Sequence, residues 1–280
     1  MRRKAVNYGG GFYNEIEFHP LAGADTIEEL KTYGWPSADW FDYEAIPDLI
    51  RQTNATGGPY AIIALNCNVF ETAWHMRGLE RTMLDLALNP EQVDFILGKV
   101  ADFYLEQATR TLQAARGAID LVFTADDIGQ QKGLLMSLDM WARHIKPHHA
   151  RINKAIHEYG ARAIYHSDGA VMDAVPGLID MGIDILQALQ FDAEGMDARA
   201  LKDRFGERLC FQGGVSVQRT LPFGEPNQVR REVESLIRSL GRDGGYILGP
   251  SHAIQAGTPA ENVYAMFEAA LHFSRNGGWQ

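Results

Sequence analysis

A chain of 280 residues that is 46% apolar and 22% charged has the composition of a folded protein, and excludes an extensively disordered one, which needs few apolar groups and high charge. Its 26 Lys and Arg against 36 Asp and Glu leave a net charge of −10, which argues against nucleic acid, whose phosphates demand clustered cations. No apolar run reaches the roughly 18 residues of a membrane span, so no membrane role is expected.

The basic start MRRKAVNYGGGFYNEIEF lacks the apolar core of a secretory signal. Two cysteines, Cys67 and Cys210, lie far apart without CxxC spacing and make no disulfide framework. A cytoplasmic protein is expected. Residues 1–58 show no strand–helix rhythm and read as irregular segments and short helices packed over the rest of the fold. Within them only Glu15–His19 looks extended, and Thr26-Ile27-Glu28-Glu29-Leu30 reads as a short capped helix.

From residue 60 onward short β-rich runs alternate with helical stretches. The predicted strands are Tyr60–Leu65, Asp120–Thr124, Arg162–His166, Asp184–Leu189, Arg208–Gln212 and Gly245–Leu248, each bounded by Gly, Asp or Asn. The predicted helices include Pro90–Ala115, opened by Asn89-Pro90 and closed by Gly117, then Met140–Tyr159 before Gly160, and Gln228–Leu240 before Gly241. Such alternation predicts a parallel sheet. No GxGxxG follows the first of these strands and no GxxxxGK[ST] occurs, which disfavours a dinucleotide fold or a P-loop.

Polar groups follow nearly every strand: Asn66-Cys67-Asn68, Asp126-Asp127, His166-Ser167-Asp168, Gln187 and Gln190, Gln212-Gly213-Gly214 and Ser251-His252. In a barrel these ends converge on one mouth. The predicted fold is therefore α/β, a (β/α)8 TIM-type barrel forming one domain over residues 1–280. Six strands are firm from residue 60 on, so the barrel is expected to be one or two N-terminal strands short. Open strand edges would then invite pairing with a second copy of the chain, a homodimer.

His166 and Asp168, one residue apart at a strand end, point to the same side. His252 sits in the turn after the last strand. Two imidazoles and a carboxylate from two strand ends are the ligand set of a catalytic metal site with open positions, although a lone strand-end histidine is more often a satisfied polar residue. Asp126 and Asp127, being adjacent, cannot both face the mouth. One is a catalytic candidate for substrate binding or proton transfer and the other a cap, with capping by both the competing reading. Glu71 is a candidate fourth ligand or acid, and Asn66, Gln130, Gln187, Gln190 and Gln212 are candidates for hydrogen bonds to a small-molecule substrate. Trp74 and Met76 read as core, His148-His149 as solvated helix surface, and Cys67 as a buried thiol.

The segments ADDIGQQ, YHSDG, PGLIDMGIDILQ, FQGGVS and YILGPSHAIQAGTPAEN, in that order, resemble the uroporphyrinogen decarboxylase superfamily, particularly its corrinoid-linked methyltransferase branch. The upstream HPLAGADTIEELKTYGWP is similar to uncharacterised, decarboxylase-like members. The resemblance implies a (β/α)8 barrel with its site at the C-terminal mouth. In the methyltransferase branch it also implies an HxC pair and a PGC-type turn that bind zinc. Here His166 matches the histidine, Asp168 stands where the first cysteine would be, and His252 replaces the second.

Three metal-capable residues remain, with harder donors that suit oxygen better than sulfur. The implied function is metal-dependent transfer of a methyl group from an oxygen-bound donor, such as a methoxy-aromatic, to a corrinoid (cobalamin) on a partner protein, with a divalent metal, zinc, as cofactor. The runner-up is a decarboxylase-like lyase using His252 and an aspartate without metal on a carboxylated substrate. That branch's terminal histidine is matched by His252, but its PxWxMRQAGR-type arginine segment is missing, and an acidic chain steers a polyanion poorly. A third reading is a non-catalytic barrel that binds a corrinoid or tetrapyrrole.

Overall fold

The computed structural model describes residues 1–8 and 11–275. An antiparallel hairpin, β1 (Arg2–Asn7) and β2 (Phe12–Phe18), comes first. The parallel strands are β3 (Ile63–Asn68), β4 (Leu121–Ala125), β7 (Arg162–His166), β8 (Ile185–Ala188), β9 (Cys210–Val215) and β10 (Tyr246–Pro250), with a short ribbon of β5 (Gly129–Gln130) and β6 (Gly133–Leu134) after β4. The sheet runs β10-β9-β8-β7-β4-β3, so each chain neighbour is also a spatial neighbour and every connection is a helical crossover on one winding path. All six predicted strands are present, displaced by at most a few residues at their ends.

The helices follow from apolar periodicity and end signals. Pro90–Ala115 forms over the predicted span and buries Val93, Ile96, Leu97, Val100 and Leu112 in the core, packed chiefly against neighbouring helices. Pro226–Leu240 opens on its proline, two residues before the predicted start. The single predicted helix Met140–Tyr159 is instead two, Leu138–His144 and Lys146–Glu158. The break falls at Ile145 because Pro147, in the first turn of the second helix, has no N–H to continue the first. The short helix Ile27–Thr32 carries the expected capping box, with Thr26 and Glu29 satisfying each other's backbone N–H groups.

The extended run at Glu15–His19 lies mostly within β2, which pairs with β1 and not with the large sheet. No residue of either hairpin strand is buried. Among the described residues the hydrogen-bonded ladder holds six strands and does not run from β10 back to β3. Ile63 and Ile247 on those two edge strands are exposed. A largely apolar cavity of about 310 Å³ borders β3, lined by Ile62, Ala64 and Leu65 together with Ile46, Leu49 and Ile50 of the helix Ile46–Ala55.

Cys67 is fully buried, and burial pushes its thiol up to about 12, whereas Cys210 is exposed at the start of β9. Because the thiolate is the nucleophile, one thiol per native chain is expected to react rapidly with a disulfide dye, and both after denaturation. Absorbance titration checks this, and two fast thiols in the native protein would contradict the packing around β3.

Candidate metal centre at the strand mouth

The register of the sheet places one row of residues side by side: Asn68, Ala125, His166, Gln187, Gln212 and Ile247. His166 and Gln187 are therefore direct neighbours on β7 and β8. The His166 Nδ1–H donates to Gln187 Oε1, which fixes the tautomer and leaves Nε2 as the free nitrogen. The ladder continues one step past the strands, with Asp126 N–H donating to the His166 carbonyl at 3.1 Å and Ser167 N–H to the Gln187 carbonyl at 3.1 Å. Both polar turns are held by the sheet itself.

Nε2 of His166 lies 3.8 Å from Asp168 Oδ1, and Nε2 of His252 lies 3.7 Å from Asp168 Oδ2. Ligand-capable atoms of the three residues all fall within 4.8 Å of one another. Asp168 Oδ1 is buried without a hydrogen-bond partner among the described residues. Burial raises the Asp168 carboxyl above its usual range and Asp127 raises it further, while His166 and His252 oppose the shift. Two imidazoles and a carboxylate with an unpaired oxygen at this spacing could hold a divalent cation, with Nε2, Nε2 and a carboxylate oxygen offered to it.

The turn that carries Asp168 is fixed by close approach to the ribbon. A Cβ on Gly129 would stand 2.5 Å from the Asp168 carbonyl oxygen, and one on Gly169 would stand 2.5 Å from the Gln130 nitrogen, at a φ of +85° that only glycine adopts freely. Ala170 N–H donates to the Gln130 carbonyl at 2.9 Å. On the far side His252 follows Ser251, whose N–H extends the β9–β10 ladder to Val215 at 2.8 Å. His252 itself remains partly exposed, on the open side of the cluster.

The adjacent aspartates face opposite ways. Asp127 Oδ1 lies 3.6 Å from His166 Nε2 and accepts the Asp168 N–H at 2.9 Å. Asp126, a catalytic candidate in the sequence, is fully buried away from the mouth. Its carboxylate accepts the N–H groups of Phe70 at 2.9 Å and Glu71 at 2.8 Å, closing the N-terminus of the helix Val69–Arg77, and pairs with His149 Nε2 at 2.6 Å. His149 is accordingly buried, not the solvated surface residue expected, because it lies on the stripe His149, Ile152, Asn153 and Ile156 that faces the core.

Two cavities open at this end and share Tyr13 and Asp127. One, of about 350 Å³, is walled by Asp168, His252, Gln190 and Ser251. The other, of about 480 Å³, is walled by Arg3, His19, Glu71, Trp74 and His75. Glu71 is raised by burial, which Asn68 partly offsets by a hydrogen bond, and His75 is pushed down to about 4 by burial and by the charges of Arg3 and His19. Tyr13 belongs to β2, so the hairpin roofs both cavities. Gly11, just before β2, meets the loop after β10, where a Cβ on it would stand 2.6 Å from Ala256 Cβ.

Of the remaining candidates, Gln190 walls the first cavity, while Gln187 walls neither cavity and bonds to His166. Gln212 stands next to Gln187 in the row, partly buried. Gln130 is exposed on the ribbon, and Asn66 is exposed in a bulge of β3, where Ala64 and Cys67 pair across it with Val122 and Thr124. Neither Gln130, Gln212 nor Asn66 walls either cavity. Trp74 packs against the core as expected and also lines the second cavity, and Met76 is buried as expected. Tyr13, His19 and His75 were missed. His75 lies one turn after Glu71, with Nε2 at 3.8 Å from Glu71 Oε1, and that spacing was its available signal.

Residues 16–273 match the family model of uroporphyrinogen decarboxylase. The chain is 27% identical over 212 residues to the methylated-thiol–coenzyme M methyltransferase of Methanosarcina mazei, covering 76% of this chain and 53% of that one. It is 31% identical over 138 residues to the uroporphyrinogen decarboxylase of Anaeromyxobacter dehalogenans, covering 48% of this chain and 35% of that one. The chain thus spans about half or less of the length of these curated relatives. A solved methyltransferase from Methanosarcina mazei superposes with a TM-score of 0.67 at 19% identity, covering 94% of this chain and 72% of that one, which establishes the shared α/β, barrel-type fold. With nearly its whole length matched and the same architecture beneath it, the chain belongs to the uroporphyrinogen decarboxylase family.

Proposed function

We propose that this chain serves in metal-dependent methyl transfer, with His166, Asp168 and His252 as ligands of a divalent cation, zinc by analogy with the sequence resemblance. The observation that carries the reading is the convergence of two imidazole Nε2 atoms and one under-satisfied carboxylate at a single point of the mouth. When bound, the cation would act as a Lewis acid toward a substrate oxygen. Imidazole and carboxylate donors favour oxygen over the thiol named for the Methanosarcina relative, so the methyl donor is an ether, with a methoxy-aromatic as its simplest form.

The chain's own residues then have separate tasks. Gln187 keeps His166 in the tautomer that presents Nε2. Asp126 and His149 hold the helix that carries Glu71 to the wall of the second cavity. As the methyl group leaves for a corrinoid on a partner protein, the electron pair of the C–O bond stays on oxygen. Glu71, raised by burial, and Asp127, shared by both cavities, are the groups that relay the proton this oxygen takes up. The open edges β3 and β10 are where a second copy of the chain would pair.

Elemental analysis tests the reading: about one divalent metal per chain is expected in the wild type and none in His166→Ala, with methyl transfer from methoxybenzenes to cob(I)alamin lost in parallel. Metal-free protein that still transfers methyl groups would sink it. One observation favours the lyase alternative: Arg3 lines the second cavity with no acidic partner among the described residues, as a carboxylated substrate would require. The metal analysis separates the two readings.

A further inference from the structure

We infer that this chain forms a two-fold dimer through its last helix, Ala260–Arg275, whose outer face carries the stripe Tyr264, Phe267 and Leu271 and packs on the same stripe of a second copy running the opposite way. None of these three residues walls either cavity of the mouth. The contact is therefore independent of the methyl-transfer reading, and it uses neither open sheet edge.

The helix is fixed by its inner face. Ala265, Met266, Ala269 and Phe273 are buried in the core. Asn262 in the first turn donates to the carbonyls of Leu221 at 2.9 Å and Gly224 at 2.7 Å, and Arg230 of the neighbouring helix Pro226–Leu240 holds Glu268 at 2.9 Å. A helix anchored in this way ordinarily turns polar residues to water on its far side. Here the far side is apolar: Tyr264 is 71% exposed, Phe267 58% and Leu271 56%. Spaced i, i+3 and i+7, the three stand one above the other on one face.

Single exposed apolar residues are ordinary, whereas a continuous row on a rigid support marks a contact surface. Two aromatic rings and a leucine at these exposures present on the order of 300 Å² to water. Two copies face to face remove about twice that, roughly half of what the smallest specific interfaces bury. The part-exposed Val263 and Ala270 at the margins of the stripe add to it. The interface is at the small end of the specific range, so a dimer of micromolar strength follows.

The layout of the stripe selects a second copy as its occupant. Phe267 is the middle, about one turn from Tyr264 on one side and from Leu271 on the other. A two-fold axis at Phe267 therefore stacks ring on ring and brings Tyr264 of each copy onto Leu271 of the other. Charge sets the direction. Glu261 is the acidic residue of the first turn. Two helices running the same way would set Glu261 against its own copy and align their dipoles, whereas the antiparallel pair parts the carboxylates and opposes the dipoles. Glu268, the other carboxylate of this helix, follows Phe267 directly but is drawn to its own Arg230, so no unpaired like charge stands at the axis.

The test is sedimentation equilibrium of the full chain between about 1 and 100 µM, the range expected for an interface of this size. The wild type should be dimeric at the top of this range. Phe267→Glu should weaken association at least about 30-fold, as the loss of a central aromatic anchor does. The urea midpoint of the dilute protein should stay unchanged, because the side chain is exposed. Tyr264→Lys and Leu271→Glu should each weaken the dimer about tenfold. Combined in one chain they should recover part of that loss, since the antiparallel two-fold sets their opposite charges face to face. A parallel pair would bring like charges together and make the double variant the weakest of all. A wild type that stays monomeric throughout, a Phe267→Glu dimer as tight as the wild type, or a double variant weaker than both single ones overturns the inference. The wild-type series decides the matter even if a variant does not fold.

Discussion

Replacing Arg77 with methionine should destabilise the protein by about 3–5 kcal/mol, the usual cost of removing one partner of a buried ion pair. Arg77 is 1% exposed, and each of its three guanidinium nitrogens donates to groups from separate segments. Its Nε donates to Asp85 Oδ2 at 2.9 Å, one terminal nitrogen donates to the carbonyls of Leu21 and Ala24, and the other to Gln92 Oε1 at 2.8 Å. Gln92 in turn donates to the Asp25 carbonyl at 2.8 Å. The guanidinium thus ties residues 21–25 to three consecutive helices. Methionine would fill the volume and leave the Asp85 carboxylate buried with only Arg81 and Asn89 as side-chain partners.

Lysine should rescue little, because a point charge cannot reproduce a planar fork that reaches a carboxylate, two carbonyls and an amide. Urea denaturation is the measurement, and an unchanged midpoint in either variant would refute the role. The effect also reaches the site. His19, just before this segment, walls the second cavity and shares a 2.8 Å hydrogen bond with the His75 carbonyl.

The sequence was most legible where local chemistry alone decides structure. Pro90–Ala115 announces itself by Asn-Pro at one end and glycine at the other, and the Thr26–Glu29 box is a property of four adjacent residues. The hairpin β1–β2 was not legible because neither of its faces is buried, so it has no apolar alternation to read. The three ligand candidates could be picked out because each ends a parallel strand or lies two residues past one, and strand ends meet at the mouth whatever the register.

Features that depend on register or on tertiary packing stayed hidden. The pairing of His166 with Gln187 exists because β7 and β8 align those two residues, which neither strand encodes alone. The union of Asp126 with His149 and the start of the helix Val69–Arg77 joins three distant segments, and only the helical stripe through His149 hinted at burial. Gly129 and Gly169 could have been read as ordinary turn residues. Their mutual contact shows that they are what lets the Asp168 turn and the ribbon touch.

Asp168→Asn should weaken metal binding more than about 100-fold and at the same time stabilise the metal-free protein by about 0.5–2 kcal/mol. The first part follows from its place between two imidazoles, since even groups that merely support a ligand cost 10–100-fold when removed. The second follows from electrostatics. In the metal-free protein the Asp168 carboxylate is poorly solvated, faces Asp127 and keeps an oxygen without a partner, so its anion is worse placed in the fold than in the unfolded chain. Asparagine keeps the shape and removes the charge.

The pH dependence supplies the check. A carboxyl whose folded pKa is raised contributes stability that is complete below its unfolded pKa and is lost as the pH rises through the folded value. The wild type should therefore gain stability relative to Asp168→Asn on acidification from neutrality, and the advantage of the variant should disappear near pH 4, around the usual carboxylate value. Urea midpoints of both chelator-treated proteins across this range, with metal content by elemental analysis, measure the two effects independently. A variant less stable than the wild type at pH 7, or one that still retains metal, would show that Asp168 is held by the fold and not by a cation it is there to bind.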